Sequence, residues 1–172
     1  MAFDAYIEIA DIPGEVLDDK HKGWIEVLGY EFGATQATSA TATSSGGASA
    51  EGVVLSDFSI CKVVDSASPK LFEACCKGTH FKEVTLSVNR AGGKKVAYLT
   101  IAMEQVLISS VKSVARRNRN GGDNAISDLP LEEISFNYAR IKKTYARQSR
   151  EDGEAAGNIS GGWDRTRNQP FA

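Results

Sequence analysis

From Phe3 to Ile9 the chain alternates, with Phe3, Ala5, Ile7 and Ile9 on one side and Asp4, Tyr6 and Glu8 on the other. A period of two predicts a half-buried strand. Asp11-Ile-Pro-Gly-Glu15 then supplies a turn, since Pro fixes φ and Gly is free to take φ > 0. After a polar loop to about Lys22, the aromatic and β-branched run Trp24–Phe32 predicts a second strand. Strand character returns over Val53–Val64, Val84–Val88 and Val96–Met103, with Asn89–Lys94 as a hairpin connection between the last two. Over Val106–Val114 the alternation puts Val106, Ile108 and Ser110 on one face and Leu107, Ser109 and Val111 on the other. Ile134, Phe136 and Tyr138 mark a strand running toward Tyr145. Gln148–Gly162 reads as a polar connection, and Trp163 beyond it is expected to be docked rather than disordered.

One helix stands apart. Ser68 suits an N-cap, Pro69 the first helical position and Gly78 the residue after the last turn. Between them Leu71, Phe72, Cys75 and Cys76 fall on one apolar face, which assigns the adjacent cysteines to the core. Several strands, one short helix at about 68–77 and no βαβ alternation predict a mainly β fold: an antiparallel β-barrel, or a sandwich of two sheets. A chain of 172 residues fits one domain over 1–172, able to bury roughly 70% of its unfolded surface without disulfide or metal.

The stretch Ala34–Ala50, ATQATSATATSSGGASA, has no charge and no side chain larger than Gln. A linker there would cut off a piece too short to hold a core. Its first half extends the second strand with small side chains, and the part near 43–52 has the composition of a protruding loop.

Charge narrows the choices. The net charge is −2, so no general attraction to nucleic acid or to an anionic membrane is expected. Residues 1–110 carry 9 Lys and Arg against 14 Asp and Glu, whereas 111–172 carry 11 against 8, an asymmetry that favours head-to-tail association. The basic groups Arg116, Arg117, Arg119, Arg140, Lys142, Lys143, Arg147 and Arg150 have few aromatics among them, which reads as solvated strand ends. No apolar run has the length of a membrane span, and MAFDAYIEIADI lacks the basic start of a signal peptide. Synthesis in the cytoplasm, with any export independent of an N-terminal signal, is the expectation.

Candidate chemistry is sparse. Cys61, Cys75, Cys76, His21 and His80 lack the paired spacing of a zinc site. Gly47-Ala-Ser-Ala-Glu51 resembles a nucleophile elbow around Ser49, but Glu51 stands where the last glycine belongs. Ala91-Gly-Gly-Lys-Lys95 lacks phosphate-loop spacing, and Asp18-Asp19 and Glu132-Glu133 are not placed across a cleft. No catalytic residue, cofactor or metal is expected, and the function should lie in surfaces and assembly. A monomeric β-barrel carrier of a small ligand stays open as a second reading, and a hydrolase built on Ser49 as a third.

The motifs also share one order with a known family. MAFDAYIEI, Asp11-Ile-Pro-Gly-Glu15, Lys20-His-Lys22 and Trp24-Ile-Glu-Val27 resemble the start of the Hcp family, the haemolysin-coregulated proteins of bacterial type VI secretion. The resemblance runs on through Ser56-Asp-Phe-Ser-Ile60, Ser68-Pro-Lys-Leu-Phe72, Arg90-Ala-Gly-Gly-Lys94, Tyr98-Leu-Thr-Ile101, Ile108-Ser-Ser110 and Gly162-Trp-Asp164. It implies a barrel with a flanking helix, a six-membered ring, and rings stacked into a hollow tube. It implies a contractile sheath, a spike and a baseplate as partners, effectors as cargo, and export without a signal peptide. The segment 116–130 is longer and more basic than the family leads one to expect. A lumen that releases cargo should be lined by small polar side chains, which makes Thr35, Gln36 and Thr38 lumen-facing candidates. Ser44, Ser45, Gly46, Gly47, Ala48 and Ser49 are candidates for an arm that reaches the next ring.

Overall fold

The computed structural model describes residues 3–39, 49–90, 97–114, 130–148 and 155–171. The strands are β1 (Phe3–Ile9), β2 (Ile25–Val27), β3 (Gly29–Glu31), β4 (Ala34–Ser39), β5 (Ser49–Leu55) and β6 (Phe58–Val63). The helix α1 (Ser68–Lys77) precedes β7 (His80–Arg90), β8 (Ala97–Val114), β9 (Leu131–Gln148), β10 (Ala155–Asp164) and β11 (Gln169–Pro170). Among the described residues all pairings are antiparallel. The main sheet runs β11-β10-β9-β8-β7-β1-β2, with β6 joined to both β9 and β3.

The predicted second strand is split. Leu28 leaves the ladder between β2 and β3, yet its N–H donates to Cys61 O at 2.8 Å. Pairings therefore pass from β1 to β2, across Leu28 to β3, and on through β6, β9, β8 and β7 back to β1. The sheet curls into a barrel interrupted at that point rather than an unbroken ladder. Its interior is built from cross-strand rows. Ile25, Ile7, Leu86 and Ile101 occupy one level of four strands and are fully buried. Phe58 and Phe136 form another, also fully buried. Each such side chain contributes about 1.5–3 kcal/mol by leaving water.

The strands predicted at 96–103 and 106–114 are one strand, β8. The periodicity that separated them is real and has a structural cause. Val84, Met103 and Ile141 are buried neighbours on β7, β8 and β9, and so are Phe81, Val106 and Tyr138. Three residues rather than two separate the buried positions, so all three strands change their inward face at the same level. Gln105 marks that corner: its φ is 53° and it drops out of the ladders on both sides, while pairings above and below keep one register. A residue in the left-handed region turns the following side chains over without adding a step to the pairing.

Residues 155–162, expected to be a connection, form most of β10 and pair with β9. Small residues and Gly157, at φ 97°, hid the strand; β9 supplies the edge that orders it. Trp163 is partly buried opposite Ile141, as its docking requires. The helix lies at the expected residues and packs against β8. Gly78 ends it with φ 63°, its N–H bonding to Cys75 O and that of Thr79 to Ala74 O. Two details differ from the sequence reading. The inward face is Leu71, Ala74 and part of Cys75, leaving Phe72 and Cys76 exposed, because the stripe of a helix that faces a sheet is narrower than the arc from Leu71 and Cys75 to Phe72 and Cys76. The N-cap is Ala67 with no side-chain cap, since the Ser68 hydroxyl is engaged elsewhere.

Candidate assembly surfaces and the contacts that fix them

Three polar clusters fasten the parts of the barrel. In the first, Lys62 is completely buried on β6. Its Nζ donates to Asp65 Oδ1 and Val63 O at 2.7 Å, Ser68 Oγ at 3.0 Å and Glu132 Oε2 at 3.3 Å. Ser68 Oγ also donates to Glu132 at 2.6 Å, which is why it does not cap the helix. Asp65 Oδ1 accepts from Ala67 N–H instead. Burial opposes ionisation of Glu132, but hydrogen bonds from Ser68 and Ser113 together with Lys62 outweigh it and hold the carboxyl below its ordinary range. The cage ties the start of α1 to β6 and β9.

In the second, Arg140 on β9 donates from Nε to Asp164 Oδ2 at 2.8 Å and from a terminal nitrogen to Glu104 Oε2 at 2.9 Å. Asp164 Oδ1 accepts from the Thr166 hydroxyl at 2.6 Å and from the N–H groups of Thr166 and Arg167. The Thr166 hydroxyl foremost, then Arg167 N–H and Arg140, lower the Asp164 pKa to about 2 although burial opposes them. This cluster fixes the turn between β10 and β11.

In the third, His21 Nδ1 lies 2.9 Å from Asp18 Oδ1, and its Nε2 lies 3.0 Å from Ser87 Oγ. The order Asp, His, Ser is that of a charge-relay triad, which local sequence does not signal because the serine is 66 residues away. Yet Ser87 sits mid-strand on β7, 4% exposed and paired on both sides with Tyr6 and Thr100. Nothing can reach its hydroxyl. With Tyr6 and Trp24 packed on either side, His21 instead pins the 13–24 loop over β1 and β7. Among the described residues no three His, Cys, Asp or Glu side chains gather as metal ligands. His21 and His80, and likewise Cys61 and the Cys75-Cys76 pair, lie on different elements.

The low-complexity stretch supplies the projecting part. β4 and β5 pair with each other in a separate two-stranded sheet, with Ala34 opposite Leu55, Thr35 opposite Val54 and Gln36 opposite Val53. At its root Gly33 N–H donates to Ser56 Oγ at 2.7 Å and Ser56 N–H to Gly33 O at 3.0 Å. Thr35 and Gln36 are both exposed, on opposite faces of β4 because neighbours in a strand alternate. Thr38 pairs with Ala50 and Ser49 with Ser39. Ser44, Ser45, Gly46, Gly47 and Ala48, and most of the expected 43–52 loop, lie outside the described residues, as do all but Pro130 of the basic segment 116–130 and residues 91–94 of the 89–94 connection.

Among the described residues the chain is thus a mainly β protein: a curled antiparallel barrel fastened by polar clusters, beside a self-paired two-stranded sheet. A model of the family described as "Type VI secretion system effector, Hcp" matches residues 6–145. Protein hcp1 of Pseudomonas aeruginosa is 32% identical over 165 residues, covering 95% of this chain and 96% of that protein. A solved structure of a type six secretion system protein superposes with a TM-score of 0.87 at 32% identity, over 99% of this chain and 100% of that one. A type VI secretion system effector from Yersinia pestis, 28% identical, gives 0.67 over 94% and 99%. The chain belongs to the Hcp family of the type VI secretion system. Among the described residues no helix is long and apolar enough to cross a membrane.

Proposed function

We propose that this chain is the tube subunit of a type VI secretion system: six copies close a ring, rings stack into a hollow tube, and effectors travel in its lumen or at its tip. The observation that carries this reading is the family match across residues 6–145, which takes in the barrel, the helix and the hairpin together. The hairpin β4–β5 supports it, since a two-stranded sheet with no further partner among the described residues gains one by lying against a neighbouring ring. Sheath, spike and baseplate proteins are the other partners, and the chain acts without catalysis, cofactor or nucleic acid. It resides in the cytoplasm until firing and leaves without a signal peptide. The small-ligand carrier loses support because Phe58, Phe136, Tyr138 and Met103 fill the interior.

Negative-stain images of the purified protein test the reading: rings support it, and dispersed single barrels overturn it. Deleting Ser44–Ala50 is expected to leave rings and abolish tubes; tubes that survive would make the arm passive. Gln36→Trp is expected to alter effector retention, and unchanged retention removes Gln36 from the lumen wall.

A further inference from the structure

Two surfaces on opposite sides of the barrel carry opposite charge, and we propose that they are the two halves of one head-to-tail contact between neighbouring copies of this chain. The inference rests on the ring reading and specifies how the ring is held. Around the barrel the strands follow one another as β1, β2/β3, β6, β9, β8 and β7. The seam between β2 and β6 therefore lies three strands from the seam between β8 and β7 in either direction. A contact that joins unlike patches at opposite ends of a subunit is the kind that propagates, and it closes into a ring when the rotation per subunit closes.

At the first seam a groove of about 350 Å³ is lined by Glu15, Glu26 and Asp65, with no cation among the described residues of its walls. Asp65 gives one oxygen to Lys62, and Glu15 gives one to Ser66 N–H. Leu28 and Val64 line the same groove and are 39% and 43% exposed. At the second seam a hollow of about 740 Å³ opens at the corner of β7, β8 and β9. Among the described residues Lys82, Arg165 and His80 line it with no carboxylate, and Phe81 and Leu107 form its apolar part. An adjoining hollow shares His80, Phe81 and Lys82 and adds Lys70 and Lys77 against Asp11 and Glu73. The groove at the first seam and the hollow at the second thus each set apolar side chains beside charges of one sign among the described residues, and the signs are opposite, while the adjoining hollow is mixed. Apolar centres supply the buried area, while the flanking charges set register and reject the wrong pairing. The corner that turns the strands over also makes the second hollow, since Gln105 lines it.

Charge reversal tests this. Lys82→Glu with Arg165→Glu makes both surfaces acidic, and Glu15→Lys with Glu26→Lys makes both basic. All four side chains are exposed. Sedimentation velocity is expected to show each double variant dissociating at a concentration about tenfold above wild type or higher. An equimolar mixture is expected to regain wild-type rings, because the two variants can alternate around a ring of six. Rings that persist in either variant alone, or a mixture that stays dissociated, overturn the pairing. Thermal unfolding is the control. If a reversal lowers the midpoint, the Gln substitutions at the same four positions replace it. Added salt must then weaken wild-type rings and leave the neutral variants' rings unchanged; an equal salt response in both overturns the pairing. If wild type forms no ring, the ring reading and the pairing fall together; if it forms rings indifferent to charge, the pairing alone falls.

Discussion

The Tyr138 phenol donates to Ser56 O at 2.9 Å, which ties the root of the β4–β5 hairpin to the barrel wall. Burial raises the Tyr138 pKa, so the phenol keeps its proton. Tyr138→Phe removes the donor and leaves a carbonyl unpaired. A loss of about 1–2 kcal/mol is expected by urea unfolding. Amide exchange at Gly33 and Ser56 should accelerate with it; unchanged exchange would mean that the root is held by the Gly33–Ser56 hydrogen bonds alone.

Lys62→Met strips the buried cage of its cation and leaves Asp65 and Glu132 facing each other. Breaking a buried pair from one side costs about 3–5 kcal/mol. The folded pKa of Glu132 is lowered, so its contribution is present above the ordinary carboxylate range and is lost as pH falls through the lowered value. In Lys62→Met that loss should begin at a higher pH, seen in unfolding midpoints taken along an acid series. An identical acid profile in the two proteins would mean that Lys62 does not hold the charge on Glu132.

Asp164 titrates near 2 when folded, against 3.8 ordinarily. Between those values the unfolded chain binds more protons than the folded one, so lowering the pH favours unfolding. The stabilisation is complete above about 4 and disappears as pH falls toward 2. Asp164→Asn should flatten the stability curve over that window while keeping an acceptor for Thr166. A curve of unchanged slope would assign the acid sensitivity to other carboxylates.

Gln105 holds φ at 53°, where a side chain costs roughly 1–2 kcal/mol. Gln105→Gly should therefore be neutral or stabilising by up to about 1 kcal/mol, and Gln105→Val destabilising, since a β-branched residue is a true outlier there. Thermal unfolding of the two variants gives the order, and Val proving the more stable would remove strain from the account of the corner.

Much of the barrel is legible in the sequence because strand alternation and helix-end chemistry are local. Pro69 and Gly78 mark the helix, and the alternation from Phe3 to Ile9 gives the inward face of β1. What stayed hidden depends on partners distant in the chain. Nothing near Ser68 signals that Glu132 will claim its hydroxyl, 64 residues on. His21 and Ser87 meet only because the 13–24 loop folds over β7. Residues 155–162 pair because β9 presents an edge, not because they favour strand. The phase change at Gln105 was visible as two alternating runs out of step, but periodicity cannot tell a break in the chain from a corner in one strand. The strand character of the first half of the 34–50 stretch was legible in its alternation, but its root is set by Ser56, beyond the stretch itself.

The continuity of β8 through that corner has a mechanical side. β8 and β9 are each 18 residues long, and their pairing extends from Leu99 with Tyr145 to Val114 with Leu131. When two long antiparallel strands are drawn past each other along their axes, all their hydrogen bonds resist together, whereas strands pulled apart from one end give way one bond at a time. Under a pull along the strands the β8–β9 seam resists as a unit, and a short pair such as β3 with β6 is expected to part first.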